Sequence, residues 1–204
     1  FKATNLHAAM PNYPETGDVA AANAMLDAAG YAKDANGVRM RAVLDIIPYG
    51  EDWRRAGEYL KQVMGDIGIE VELRYEDVPT WLKRVYHNYD FEMHINYFYQ
   101  LPDPVLGVHR HYGTNQIRQG THFVNSSRYS NPELDALLDS GSKEPDAAKR
   151  TATYKEVQEI LAQDMPVVNL FELEFLTVYN TQLKGAYGSA MGAYGSFREA
   201  WLDD

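Results

Sequence analysis

The sequence contains no cysteine and no apolar run long enough to span a bilayer, and its basic residues are well outnumbered by its acidic ones. The lack of cysteine excludes disulfides, thiolate metal sites and cysteine nucleophiles, and it fits either the cytosol or a periplasm. No stretch approaches the roughly 18 consecutive apolar residues that span a bilayer. The formal net charge of -10 repels phosphate backbones, so no nucleic acid partner is expected.

What remains is the composition of an ordinary folded chain. Its 204 residues suffice to bury a core, and 45% hydrophobic with 24% charged residues excludes a disordered class. Residues 1–17 carry two prolines and a glycine without a sustained period, which predicts a linker. The start lacks both Met and the basic-then-apolar layout of a signal peptide, so we expect a piece of a longer protein.

Helical and strand patterns alternate from Asp18 onward. Asp18 is placed to cap the first helix, and Gly30 is placed to end it. Short joints between alternating strands and helices imply parallel strands with right-handed crossovers, so the predicted fold class is α/β, a mainly parallel sheet flanked by helices. The predicted elements are helices over residues 18–30, 52–68 and 79–86 and strands over residues 40–47, 69–75 and 91–97.

The second half of the chain has a different pattern. Residues 98–130 show no convincing period, and so long an irregular stretch in a compact domain usually serves a site or a partner. Amphipathic helices resume after Asn131 and Asp146, both of which are suited to capping. After Pro166, residues 167–179 are a long apolar run with strand character, and the Gly-, Ala- and Tyr-rich residues 184–194 are expected to pack on something else.

One segment has the composition of a small-molecule pocket. Open parallel sheets bind ligands beyond the carboxyl ends of their strands, and the third predicted strand runs out into residues 96–104. Aromatic, amide and carboxylate side chains lie together there between two prolines, a mixture that suits a pocket. Alternatively, Tyr97 and Phe98 belong to the core and Asp103 only starts a turn. The candidate ligand-binding residues are Tyr97, Phe98, Tyr99, Gln100, Asp103 and, for a ligand carboxylate, Arg110.

Patterns for metal binding or catalysis are weak. His109 and His111 would lie on one side of an extended segment with His122 following, but their spacing matches no standard motif, so we expect no metal and no cofactor. The nucleophile elbow, dinucleotide fingerprint, Walker lysine loop and His-Glu-x-x-His motif are all absent. Glu172 and Glu174 alternate on a predicted strand, where solvated carboxylates are commoner than an acid and base pair. We predict a binding protein and not an enzyme.

Five blocks of sequence follow one another in a recognisable order. They are residues 18–31, Gly68-Ile69-Glu70-Val71, Asp103-Pro104, and residues 129–138 and 150–166. Together they resemble periplasmic solute-binding proteins of family 5, the dipeptide, oligopeptide and nickel type that serves ABC transporters, and the resemblance covers roughly residues 18–180. It implies a type II periplasmic-binding-protein lobe within a two-lobed protein that closes over a ligand and presents it to a membrane permease.

The same resemblance implies a domain plan and a location. Residues 1–17 would be a linker from an N-terminal lobe absent from this chain, residues 18–169 the C-terminal ligand-binding lobe, and residues 170–204 a hinge crossing and return segment. The protein would be periplasmic, with its signal peptide outside this chain.

The ligand implied by the resemblance is a peptide, opine, sugar or chelate. Peptide-binding members carry a carboxylate three residues before the position of Asp103, where it pairs with the free amine of the ligand. This chain has Gln100 there, which puts recognition of a free peptide amine in doubt. Tyr97 stands where the family often has Trp and can still stack on a ligand.

Two other functions stay open on sequence alone. The chain would also suit the small-molecule sensing domain of a regulator, whose basic DNA-binding part would have to lie outside this sequence. A hydrolase that uses Glu172 or Asp103 would instead show turnover and a perturbed pH profile.

Overall fold

The computed structural model describes residues 17–99, 103–173, 177–186 and 195–203. The candidate ligand residue Gln100, the candidate catalytic residue Glu174 and nearly all of the predicted linker lie outside the described residues.

Helices and strands alternate through the first half of the chain, as predicted, and helices dominate the second half. Two short 3₁₀ turns, Pro104–Leu106 and Thr114–Gln116, flank the short helix Val108–Tyr112. The elements are α1 (Val19–Ala28), β1 (Met40–Ile46), α2 (Glu51–Asp66), β2 (Ile69–Tyr75), α3 (Val78–Leu82) continued by a π-helix (Lys83–Asn88), β3 (Met93–Ile95), α4 (Val108–Tyr112), α5 (Pro132–Lys143), α6 (Ala147–Asp164), β4 (Leu183–Lys184) and β5 (Trp201–Leu202).

The central strand of the main sheet is β1, which pairs in parallel with β2 on one side and β3 on the other. Ile46, the last residue of β1, lies opposite Tyr75 of β2 and Ile95 of β3. Helix α2 connects β1 with β2, and α3 with its π-helix connects β2 with β3. Parallel strands point the same way, so all three carboxyl ends lie at one edge of the sheet. The predicted α/β class is confirmed.

Side-chain caps fix the helix starts that the sequence predicted. The Asp18 carboxylate accepts a hydrogen bond from the Ala21 amide at 2.8 Å, and Gly30 follows α1 at φ +87°. The Asn131 side chain caps α5, and the Asp146 carboxylate caps α6. Each of these side chains accepts a bond from an amide that has no partner within the helix, which stabilises the first turn.

Two hydrophobic cores hold the elements together. The larger one lies against the sheet, and the smaller one joins α4, α5 and α6 through Tyr112, Leu134, Leu138, Tyr154 and Val157. Gly57 lets α2 approach the sheet, because a Cβ at this position would lie 2.5 Å from Cδ1 of the buried Ile46. The fully buried side chains at the centre of the larger core include Ile46, Ile47, Trp81, Val85 and Tyr86.

The structure differs from the sequence prediction in two strands. Strand β3 covers only Met93–Ile95, which is shorter than the predicted 91–97. The strand predicted over residues 167–179 is wrong for its described part, since residues 167–173 and 177–179 are neither helical nor in a sheet. Seven large hydrophobic side chains of this part are at least 39% exposed, so its apolar pattern does not reflect burial among the described residues. A strand also needs a neighbour to take its backbone hydrogen bonds.

A buried carboxylate ties the sheet together. Asp45 of β1 is completely buried, and its two oxygens accept bonds from Arg74 of β2 at 2.6 and 2.7 Å. This pairing raises the pKa of Arg74, mainly through the hydrogen bonds to Asp45. Arg84 of the π-helix lies 3.9 Å from the same carboxylate and makes a closer ion pair with Glu76 at 2.7 Å. The network joins β1, β2 and the π-helix.

We expect Arg74→Ala to lower the free energy of unfolding by about 3–5 kcal/mol, because the completely buried Asp45 carboxylate would lose its nearest cationic partner. The matched control is Arg41→Ala. Arg41 pairs with Glu70 across the same two strands at 2.8 Å, but both side chains are exposed, so its loss should cost less than about 1 kcal/mol. Urea denaturation measures both variants, and equal losses would contradict a special role for the buried pair.

Candidate functional site

The carboxyl edge of the sheet gathers the ends of all three parallel strands. After β1 the chain turns through Pro48 and Tyr49 into α2, whose first turn contains Trp53. After β3 it continues through Asn96 to Tyr97 without regular structure. Since β1 and β3 are neighbours, the side chains that follow them lie side by side at this edge.

Five rings form an aromatic cluster at this edge: Tyr49, Trp53, Tyr97, Tyr99 and Phe171. Tyr97 is its centre, because it stacks on Trp53 at 5.4 Å between ring centroids and meets Tyr49 edge-on at 5.8 Å. Tyr99 packs edge-on against Tyr97 at 5.6 Å. Phe171 reaches the cluster from the chain beyond α6 and lies 6.1 Å from Trp53.

The aromatic cluster has a buried base and an exposed face. Trp53 is only 8% exposed, whereas Tyr49 and Tyr99 are each about 40% exposed and Phe171 is 53% exposed. Burial, with a smaller effect from Tyr97, raises the pKa of Tyr49, so its phenol stays neutral at physiological pH. A ring anchored by packing and open on one face can stack on a ligand at little cost in side-chain entropy.

A small cavity of about 250 Å³ lies on the other side of β1, at the same edge. Arg54 of α2 places its guanidinium 4.4 Å from the ring centroid of Tyr75, the last residue of β2. The phenol of Tyr75 donates a hydrogen bond to Glu58 at 3.2 Å. The residues that line the cavity are Ile46, Ile47, Pro48, Gly50, Arg54, Tyr75 and Glu76.

Asp103, which caps the 3₁₀ turn Pro104–Leu106, has two bonding partners within the fold. Its carboxylate accepts a hydrogen bond from the Val105 amide at 2.9 Å and two from Arg150 of α6 at 2.7 and 2.9 Å. The Arg150 guanidinium holds the pKa of Asp103 below its ordinary value. The carboxylate is therefore ionised at neutral pH and unsuited to act as a general acid. These contacts hold the start of the 3₁₀ turn Pro104–Leu106 against α6.

The histidines around Arg110 lie on α4, so the extended segment predicted for them is wrong. His109 is bonded to the hydroxyl of Tyr154 at 2.9 Å. His111 is buried, and burial lowers its pKa to about 3. The ring of Phe98 packs on His111. The Nε of the half-buried Arg110 has no hydrogen-bond partner among the residues that the structure describes.

The structure thus brings together Tyr97 and Tyr99 of the predicted ligand residues and sets Phe98, Asp103 and Arg110 in other surroundings. Sequence reasoning missed Tyr49, Trp53 and Phe171. A signal for the first two was present, because they follow the carboxyl end of a predicted strand just as Tyr97 does.

The fold and this edge define an α/β lobe of the periplasmic-binding-protein kind. Residues 2–119 match the family model described as "Bacterial extracellular solute-binding proteins, family 5 Middle". The chain belongs to this family, whose members are solute-binding proteins. In the part of the chain that the structure describes, no helix is long and apolar enough to cross a membrane.

Known proteins support the same class. "Protein XP55" of Streptomyces lividans is 27% identical over 199 residues, which cover 86% of this chain and 34% of that protein. The periplasmic oligopeptide-binding protein of an ABC transporter from Thermotoga maritima, solved with mannohexaose bound, has a TM-score of 0.65 at 24% identity, covering 74% of this chain and 30% of that one.

A further structure with the same fold is a peptide-binding protein, AppA, from Clostridium difficile. It has a TM-score of 0.67 at 20% identity, and the match covers 92% of this chain and 37% of that one. The chain therefore spans about a third of the length of each of these proteins.

The ion pair between Asp103 and Arg150 is expected to stabilise the fold by about 1 kcal/mol at neutral pH, since both side chains are partly exposed. Because Arg150 lowers the folded-state pKa of Asp103, this stabilisation is present above the unfolded pKa of about 3.9 and disappears as pH falls through the folded-state value. A double-mutant cycle with Asp103→Asn and Arg150→Gln, measured by urea denaturation, gives the coupling energy. A coupling unchanged between about pH 7 and about pH 2 would refute this pairing.

Proposed function

We propose that this chain is the C-terminal ligand-binding lobe of an extracytoplasmic solute-binding protein that delivers a small solute to an ABC permease. The aromatic cluster, led by Tyr97 and Tyr99, forms one wall of the ligand site. A second lobe closes over the solute and forms the other wall. Capture of this kind needs only a higher affinity for the closed state and no chemistry on the ligand.

The observation that carries the proposal is the exposed face of the aromatic cluster at the carboxyl edge of a parallel sheet. Open α/β sheets bind ligands at this edge. Trp53 and Tyr97 are held by mutual stacking, while Tyr49 and Tyr99 present ring surface to solvent. Exposed aromatic surface that is rigidly supported from below is typical of a recognition surface.

The proposed ligand is a peptide, opine, sugar or chelate. Ring faces such as those of Tyr49 and Tyr99 can stack equally on the apolar face of a sugar and on the side chains of a peptide. The T. maritima protein supports this breadth, because it is described as oligopeptide-binding and its structure contains mannohexaose. Gln100 supplies no charge for a peptide amine, so the proposal does not depend on a free amino terminus.

The proposed domain plan gives residues 18–169 to this lobe and residues 170–204 to the crossing and return toward the other lobe, with residues 1–17 as the linker. The distribution of exposed apolar side chains supports it. Val168 is 63% exposed, Val178 is 95% exposed and Leu202 is 69% exposed, all beyond α6. Apolar surface concentrated in one part of a chain marks a surface that another part covers. The proposed location is periplasmic.

The role of the whole protein is tested by native mass spectrometry of the full-length parent, purified from its host without refolding and then gently denatured. We expect release of a small molecule of defined mass, a peptide, opine, sugar or chelate, that the parent binds again unchanged. Consumption of that molecule on incubation with the parent would overturn the proposal in favour of an enzyme.

We expect Tyr99→Ala in the full-length parent to weaken binding of the released molecule at least tenfold, about 1.4 kcal/mol, because a stacking surface is lost. The measurement is isothermal titration calorimetry. Tyr59→Ala is the matched control, since Tyr59 is a more exposed tyrosine, 65% exposed, on α2 and outside the aromatic cluster. If Tyr99→Ala and the double variant with Gln100→Ala both stay within about twofold of wild type, this wall assignment is wrong.

A further inference from the structure

Two histidines meet on the surface of the lobe, away from the aromatic cluster. His87 lies near the end of the π-helix, and His122 lies in the irregular chain that follows α4. Their Nε2 atoms are 3.2 Å apart, and their ring centroids are 5.3 Å apart with planes inclined by 56°. Both residues are exposed, so the space around the two nitrogens is open to solvent.

Hydrogen bonds and ring packing hold the two histidines in this arrangement. The Gly120 amide donates to the Tyr86 carbonyl at 2.8 Å, and the Gln119 side chain donates to the His87 carbonyl at 2.6 Å. The ring of Tyr86, which is 1% exposed, packs on His122 at 5.8 Å between centroids. The segments that carry the pair are therefore fixed against the core before any ligand arrives.

The histidine pair shares no residue with the aromatic cluster. The π-helix that carries His87 connects β2 with β3 and ends before β3 begins. The Tyr86 ring, on which His122 packs, has its hydroxyl bonded to Asn96 just after β3, where Asn96 donates at 2.7 Å. The two Nε2 atoms therefore come from side chains outside the proposed solute site.

We propose that His87 and His122 form a binding site for a borderline divalent transition-metal ion such as Zn²⁺, coordinated through their two Nε2 atoms. Imidazole nitrogen binds Zn²⁺ at about 2.0–2.1 Å. An Nε2 separation of 3.2 Å then gives an N–Zn–N angle of about 100°, because half the separation divided by about 2.05 Å is the sine of half the angle. This is close to the tetrahedral geometry that Zn²⁺ prefers.

Zn²⁺ usually has four ligands in proteins, so two coordination positions remain besides the two histidines. Among the described residues no group of three or more His, Cys, Asp or Glu side chains is arranged to hold a metal. Water would therefore occupy the other two positions. Without a metal, the same 3.2 Å separation suits a hydrogen bond in which one neutral ring donates its Nε2–H to the other. When Zn²⁺ binds, the ring that donates would carry its proton on Nδ1 instead, so that both Nε2 lone pairs would face the ion.

The test is isothermal titration calorimetry of the full-length parent with ZnCl₂. We expect the wild type to bind one Zn²⁺ that His87→Gln and His122→Gln each bind at least tenfold more weakly, since even loss of an outer-shell partner usually costs 10–100-fold. His109→Gln is the control, because His109 lies on α4 with Tyr154 as its partner, so this change removes an imidazole and leaves the pair intact. It should bind Zn²⁺ as the wild type does.

Two results would overturn the proposal. One is a wild type that binds no Zn²⁺, and the other is equal binding by the wild type and both single variants. Thermal unfolding by circular dichroism checks that the variants are folded, and both replaced side chains of the pair are exposed, so their unfolding temperatures without metal should match that of the wild type. With Zn²⁺ in excess, the unfolding temperatures of the wild type and of His109→Gln should rise, and those of the two pair variants should rise less.

Discussion

The parallel pairing of β1 with a strand on each side is the constraint on which the rest of the lobe depends. Because β2 and β3 both run parallel to β1, their ends bring Tyr75 and Tyr97 to the edge where Tyr49 follows β1. The buried Asp45 reinforces this pairing, since its carboxylate has a full set of partners only when Arg74 lies directly opposite. Slipping the register by one residue would leave that charge unpaired in the core and turn each strand's apolar face outward.

The proposed ligand wall combines a fixed base with an open face, and the two requirements compete. Packing Tyr97 on Trp53 restricts both rings and ties them to the core of the sheet. Leaving Tyr99 and Phe171 partly exposed gives up some hydrophobic stabilisation of the lobe alone. That surface becomes favourable only when something covers it, as a solute or a second lobe would. In the proposed two-lobed protein, this cost in the open state would make closure depend on the ligand.

Most of the fold could be predicted from sequence because its signals are local. Asp18, Asn131 and Asp146 cap the helices that the sequence assigned to them, and the alternating strands and helices identified a parallel sheet. The aromatic cluster could be predicted only in part. Tyr97 and Tyr99 follow a recognisable strand, but Phe171 joins the cluster from a segment far along the chain, and no local pattern reports such a contact. The strand predicted after Pro166 is wrong for its described part, because β-branched and aromatic residues favour a strand without reporting whether a neighbouring strand is present to pair with it.

Asp103 stays a predicted ligand residue, and its contacts also give it a place in the fold. It follows the proposed wall along the chain, and its oxygens accept hydrogen bonds from Arg150 of α6. Arg150 also donates to the Gly141 carbonyl of α5 at 2.9 Å. The chain leaving the wall is thereby anchored to the second core, which α5 and α6 build around Leu134 and Val157. The wall is thus supported from two sides, by the sheet beneath Trp53 and by the helical pair through Asp103.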